Sequence, residues 1–322
     1  MTKYAARSLP RILLFIALFA QLATTAAAQE APAPLYKAFD SKGREVKLEE
    51  IIDALEAADV LFVGETHDDA NGHKVEAELL RRADERYSRA DGRGRAVALS
   101  LEMFERDVQT VVDEYLAGLI SERHFLLSSR PWNNYATDYK PLVEYARARH
   151  IPVIAANAPA RYVSRVSSQG QGSLASLSKE ARGWLPPLPF AEASPAYAAK
   201  FNEVMGGAAS TPPSSTQSQA ANPHAQANPH GGAHLLEAQT LRDASMAYAI
   251  SEFLKRGRDS LVVQVNGTFH SEGRMGVPEH LARYRKKARA VVVTIIPDTG
   301  RAGFDAASMA ALGDFVILTA KN

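Results

Sequence analysis

Val60-Leu61-Phe62-Val63-Gly64-Glu65-Thr66-His67-Asp68 decides the fold class, and Leu261-Val262-Val263-Gln264-Val265-Asn266-Gly267-Thr268-Phe269-His270 repeats its pattern near the other end of the chain. Each is a run of large, mostly β-branched residues that breaks at a glycine, with a histidine three positions later. So continuous an apolar run is the pattern of a strand buried on both faces, and such strands belong to parallel sheets covered by helices. The glycine lets the backbone turn at the sheet edge, and the histidine beyond it can point into the crevice there.

Working outward, similar runs occupy 97–101, 151–155 and 290–296, and a further one at 315–319 closes the chain. Helical periodicity lies between most of them, at 73–89, 107–117, 139–149 and 235–255. Strands alternating with amphipathic helices predict a three-layer α/β fold, a mostly parallel sheet with helices on both faces. Leu35-Tyr36-Lys37-Ala38-Phe39 and Arg44-Glu45-Val46 flank the turn residues Asp40-Ser41-Lys42-Gly43, which predicts a small N-terminal β-hairpin. Right-handed crossovers place the turn after each parallel strand along one common sheet edge. The expectation is therefore that Glu65, His67, Glu102 and His270 converge there, joined by Asn157 after the run at 151–155. A cluster of histidine and carboxylate is suited to a divalent transition metal ion or to general acid–base catalysis. Each residue taken alone also reads as a satisfied polar group at the start of a loop.

The 322 residues are 46% hydrophobic and 23% charged, with 37 Lys and Arg against 36 Asp and Glu. That balance excludes a disordered chain and offers no basic excess for nucleic acid. Residues 1–28 read as a secretory signal peptide: Lys3, Arg7 and Arg11 precede the apolar stretch 12–20, and Ala26-Ala27-Ala28 offers a cleavage site. The other reading is an anchor that stays uncut. Removing 1–28 leaves 34 basic and 36 acidic groups on a single expected domain, 29–322, destined for the periplasm or for secretion. With no cysteine, the chain has no thiol nucleophile, thiolate metal site, disulfide or lipid-modified N-terminal Cys. A flexible, disordered insertion is expected at 206–233, rich in Ala, Ser, Pro, Gln and Asn, where Asn222-Pro223-His224 and Asn228-Pro229-His230 repeat and His234 lies just beyond. A solvated linker is favoured there over a metal or haem trap. Gly92-Arg93-Gly94 and Gly170-Gln171-Gly172 lack the setting of a nucleotide loop, and no Gly-x-Ser-x-Gly elbow occurs. The basic tract 283–287 reads as a solvated helix end.

Several motifs in order, Gly64-Glu65-Thr66-His67-Asp68, Leu101-Glu102-Met103-Phe104-Glu105-Arg106, Trp132-Asn133-Asn134-Tyr135, Tyr139-Lys140-Pro141-Leu142-Val143, Ala155-Ala156-Asn157-Ala158-Pro159 and Asn266-Gly267-Thr268-Phe269-His270, resemble the ChaN family of haem-binding uptake proteins. That family shares a superfamily with the Tiki metalloproteases and the erythromycin esterases. The resemblance implies haem as cofactor, captured outside the cytoplasm for iron acquisition, with haems stacked where two subunits meet as a homodimer and an outer-membrane haem receptor system as partner. It also implies a tyrosine ligand to iron. The candidates in matching segments are Tyr135, Tyr139 and Tyr162, with Arg161 or Arg130 to stabilise a phenolate or pair with haem propionates. Each tyrosine also reads as a half-buried packing residue. Relatives carry a Met- and His-rich loop where this chain has only His224 and His230, which weakens metal storage there. The expected function is thus an exported haem-binding protein of haem and iron uptake that needs no catalysis. The alternative is a metal-dependent hydrolase, a Tiki-like protease or an esterase, using Glu65, His67, Glu102 and His270.

Overall fold

The computed structural model describes residues 35–88, 94–210, 233–257, 259–300 and 303–320. The signal peptide expected at 1–28 lies outside them. The strands are β1 (Tyr36–Asp40), β2 (Glu45–Val46), β3 (Val60–Glu65), β4 (Ala96–Glu105), β5 (Val153–Asn157), β6 (Ser260–Gly267), β7 (Ala290–Pro297) and β8 (Phe315–Thr319). They form one sheet in the order β2-β1-β8-β7-β3-β6-β4-β5. From β8 to β5 every neighbouring pair is parallel, and the N-terminal hairpin closes one edge antiparallel. The three-layer α/β expectation therefore holds.

The helices are α1 (Leu48–Asp53), α2 (Ala70–Tyr87), α3 (Gln109–Leu116), α4 (Glu122–Ser129), α5 (Lys140–Ala148), α6 (Ala160–Gln169), α7 (Lys179–Arg182), α8 (Pro195–Ser210), α9 (Leu235–Arg256), α10 (Val277–Tyr284) and α11 (Ala306–Met309). Helices α1 to α5 pack on one face of the sheet and α9 with α10 on the other, α6 lying against α9. Successive strand residues point to opposite faces, so each strand feeds both cores. Leu61 and Val63 of β3 enter the α1–α5 core while Val60 and Phe62 enter the α9 core. Burying each such side chain stabilises the fold by roughly 1.5–3 kcal/mol. Among the described residues no helix is long and apolar enough to cross a membrane.

The strand runs extend further than the apolar signal. β3 continues through Glu65, β4 through Glu105 and β6 through Gly267, because polar residues at a strand's carboxyl end still pair: Glu65 lies opposite Gly267, and Glu105 opposite Asn157 beyond a register shift. Glu65, Glu102 and Asn157 are thus strand residues, not loop residues. Helix α2 starts at Ala70 instead of 73 because Asp69 caps it, accepting from the Asn71 amide at 3.1 Å. The insertion expected at 206–233 begins inside α8, which runs to Ser210, and 211–232 lie outside the described residues.

Candidate functional site

Strand alternation sorts the expected cluster into two groups. Glu65 has the parity of Leu61 and Val63 and faces α2 and α5; Glu102 has the opposite parity to Leu101 and Met103 and faces α9. The two Gly-x-x-His turns leave adjacent strands, since β3 and β6 pair directly.

On the α2 side, Glu65 Oε1 accepts a hydrogen bond from the Tyr139 hydroxyl at 2.5 Å and lies 2.9 Å from His67 Nδ1. A single π-helical turn, Tyr135–Tyr139, delivers that hydroxyl. Behind it, His73 Nδ1 stands 3.1 Å from both Glu65 Oε2 and Glu76 Oε2, while its Nε2 lies 3.1 Å from the His67 carbonyl oxygen. Asn134 donates to the same carbonyl at 2.8 Å and so fixes the turn that carries His67. Burial opposes ionisation of Glu65, yet hydrogen bonds from His67 and His73 hold its carboxyl well below the usual range. Burial and the Glu65 charge push Glu76 up, and although burial lowers His73, Glu76 and Glu65 raise it far above an ordinary imidazole.

On the α9 side, His270 Nδ1 lies 2.6 Å from Asp243 Oδ1, and its Nε2 lies 3.3 Å from Glu102 Oε1 and 3.2 Å from Gln239 Nε2. The second Glu102 oxygen accepts the Gly267 amide at 2.8 Å, and the Tyr197 hydroxyl donates to Asp243. Burial disfavours the His270 imidazolium, but Glu102 and Asp243 override it and lift the group to about 10. The two sides meet at Gly267, where a Cβ would lie 2.9 Å from His67 Nε2 and 3.7 Å from Glu102 Oε2. Only glycine lets His67 approach so closely.

Glu65, His67, Glu102 and His270 line one cavity of about 310 Å³. They do not form one ligand set. Among the described residues, the group whose donor atoms converge within 4.8 Å is Glu65, His73 and Glu76. The cavity mouth carries Phe201, Val204 and Met205 of α8 with Phe269, and its wall includes Arg242 of α9. Arg242 is buried and makes no hydrogen bond or ion pair among the described residues; its Nη1 is enclosed without a partner.

None of Tyr135, Tyr139, Tyr162 and Arg161 lines this cavity. Tyr135 is buried among Phe104 and Phe125, and burial raises its hydroxyl pKa. Tyr139 is buried on Glu65, and burial with that charge raises it strongly. Tyr162 packs with Leu174 and Leu185 beneath the Arg161 guanidinium, 4.6 Å from its ring. Arg161 and Arg130 are both held by Asp107, at 2.5 and 2.7 Å. His234 precedes α9, its Nδ1 2.6 Å from Glu237, while His224 and His230 lie outside the described residues. The residues missed from sequence, His73, Glu76, Arg242 and Asp243, share one signal: a polar side chain on a helix face that otherwise packs inward, as His73 and Glu76 do beside Leu79, Leu80 and Ala83.

No curated protein is significantly similar to the chain in sequence. In structure, the chain is similar to the ChaN protein of Campylobacter jejuni, solved with cofacially bound haem. That match has 15% identity and a TM-score of 0.59, and it covers 89% of this chain and 97% of that one. The erythromycin esterase EreC in its open conformation matches at 11% identity with a TM-score of 0.42, over 88% of this chain and 82% of that one. The family model described as haem-binding uptake, Tiki superfamily, ChaN spans residues 51–281, from α1 through β3, β4, β5 and β6 to α10, and so takes in both Gly-x-x-His turns. By that match the chain belongs to the ChaN family of haem-binding uptake proteins.

Proposed function

We propose that this chain is an exported haem-binding protein that takes part in haem and iron uptake, and that the cavity at the carboxyl edge of β3, β4 and β6 receives the haem. The observation that carries the ligand class is Arg242. A buried guanidinium without an ion pair is costly, and a carboxylate arriving with a ligand would complete it. Haem brings two carboxylates on a flat apolar ring, and the cavity pairs Arg242 with the apolar lip of Phe201, Val204, Met205 and Phe269. The tyrosines fit the iron poorly, since Tyr135 and Tyr139 are buried with raised pKa values and none of the three reaches the cavity. His67 fits better. Its Nδ1 is engaged by Glu65, its Nε2 makes no hydrogen bond among the described residues, and a carboxylate behind an imidazole raises its basicity as a ligand. Bound haem would supply iron and its redox chemistry; the chain's own residues bind and orient it. Export rests on the pattern of residues 1–28.

The test is a titration of the purified chain, without residues 1–28, with haem, monitored by absorption. A saturable Soret change at fixed stoichiometry is expected, weakened about tenfold or more in Arg242→Gln, since a charge-assisted hydrogen bond contributes ~1.5–3 kcal/mol. His67→Ala should alter the spectrum while Tyr135→Phe and Tyr162→Phe leave it intact. Absence of any saturable change in the wild type would overturn the proposal.

A further inference from the structure

Glu65, His73 and Glu76 lie on the α2 face, behind the cavity wall, and the haem reading does not use His73 or Glu76. We propose that these three residues form a site for one first-row divalent cation of the zinc or manganese type, held by Glu65 Oε2, His73 Nδ1 and a carboxylate oxygen of Glu76.

The spacing is that of a ligand set. All three donor atoms fall within 4.8 Å of one another, and Nδ1 of His73 is 3.1 Å from each carboxylate. Neighbouring ligands around an ion with bonds of about 2.0–2.1 Å stand roughly 3.3 Å apart. The pattern arises from local structure: His73 and Glu76 are one helical turn apart on the buried face of α2, and Glu65 closes β3 beneath them.

The tautomer of His73 points the same way. Its Nε2 faces the His67 carbonyl oxygen, which can only accept, so the proton of the neutral ring sits on Nε2. That leaves the Nδ1 lone pair facing two carboxyl groups, an arrangement that calls for a proton or a cation between them. A backbone carbonyl fixing the far nitrogen is also the outer-shell support that metal-binding histidines use.

One carboxylate oxygen is also left over. Glu76 Oε1 is enclosed and has no hydrogen-bond partner among the described residues, and Glu76 is fully buried. A proton on Nδ1 and a proton on the Glu76 carboxyl are the competing occupants. A cation can draw on both Glu76 oxygens. One imidazole and two carboxylates without a thiolate suit zinc, manganese or ferrous iron, not a soft ion.

The experiment is done on chelator-treated, haem-free protein, so its outcome does not depend on haem binding. Zinc is titrated calorimetrically and bound metal is counted by elemental analysis. One ion per chain is expected, with affinity reduced at least tenfold in Glu76→Gln and in His73→Gln. No stoichiometric zinc in the wild type overturns the proposal. So does an ion that both of those variants retain and His270→Gln loses, which would place it in the cavity. If either variant fails to fold, anomalous scattering from zinc-loaded wild-type crystals decides. A peak within about 2.0–2.2 Å of the named atoms supports the site, and a peak elsewhere or none rejects it.

Discussion

The close approach at Gly267 makes the site sensitive to a single methyl group. An added Cβ would sit 2.9 Å from His67 Nε2, so Gly267→Ala must displace the imidazole or the strand. Overpacking of this kind costs ~1–3 kcal/mol. Urea unfolding should show that loss, and haem titration should show weakened binding; an alanine variant neutral in both would remove Gly267 from the site. His270 gives a pH signature. Its folded pKa of about 10 stands above the ordinary value of about 6.5 for an unfolded histidine. A raised basic group contributes stability that is fully present below pH ~6.5 and is lost as pH rises through about 10. Melting temperature should therefore decline across that window, and His270→Gln should melt lower at pH 6 and show a shallower decline. Parallel curves for the two proteins would mean that the imidazolium is not what Glu102 and Asp243 hold.

Strand β3 and the π-helical turn before α5 show what the sequence made legible and what it hid. Apolar runs located all six parallel strands, and the Gly-x-x-His pairs mark the sheet edge where the cavity opens. What the runs could not show is that the strands continue into polar residues, where pairing energy and not hydrophobicity defines the element. Once Glu65 and Glu102 are strand residues, their parity becomes decisive, and the two carboxylates must face opposite helical layers. Tyr139 was legible as a motif residue but not as a partner of Glu65, because that contact depends on the π turn that rotates it inward. Replacing Tyr139 with Phe keeps the ring and deletes a hydrogen bond to a buried carboxylate. The expected loss is ~1.5–3 kcal/mol in denaturant unfolding, with the haem spectrum unchanged. The opposite result, unchanged stability with an altered spectrum, would return Tyr139 to the role of iron ligand that its motif implied.

Across the molecule, one sheet carries two buried polar networks back to back. Glu65, His73, Glu76 and Tyr139 belong to the α2 and α5 layer, whereas Glu102, Asp243, His270 and Tyr197 belong to the α9 side. Strands β3 and β6 separate them, and Asp243 and Glu76 share no hydrogen-bond partner among the described residues. Each network holds strongly interacting charges, so removing one member leaves its partner buried and uncompensated. The consequence is testable by double-mutant cycles in urea. Glu76→Gln and Asp243→Asn should add to within ~0.3–0.5 kcal/mol, as independent sites do, while Asp243→Asn combined with His270→Gln should show a coupling of ~0.5–3 kcal/mol. Strong coupling between Glu76 and Asp243 would mean that the sheet transmits charge between its faces, and the cavity would then have to be treated as one electrostatic unit in which haem in the cavity and a cation behind its wall compete or cooperate.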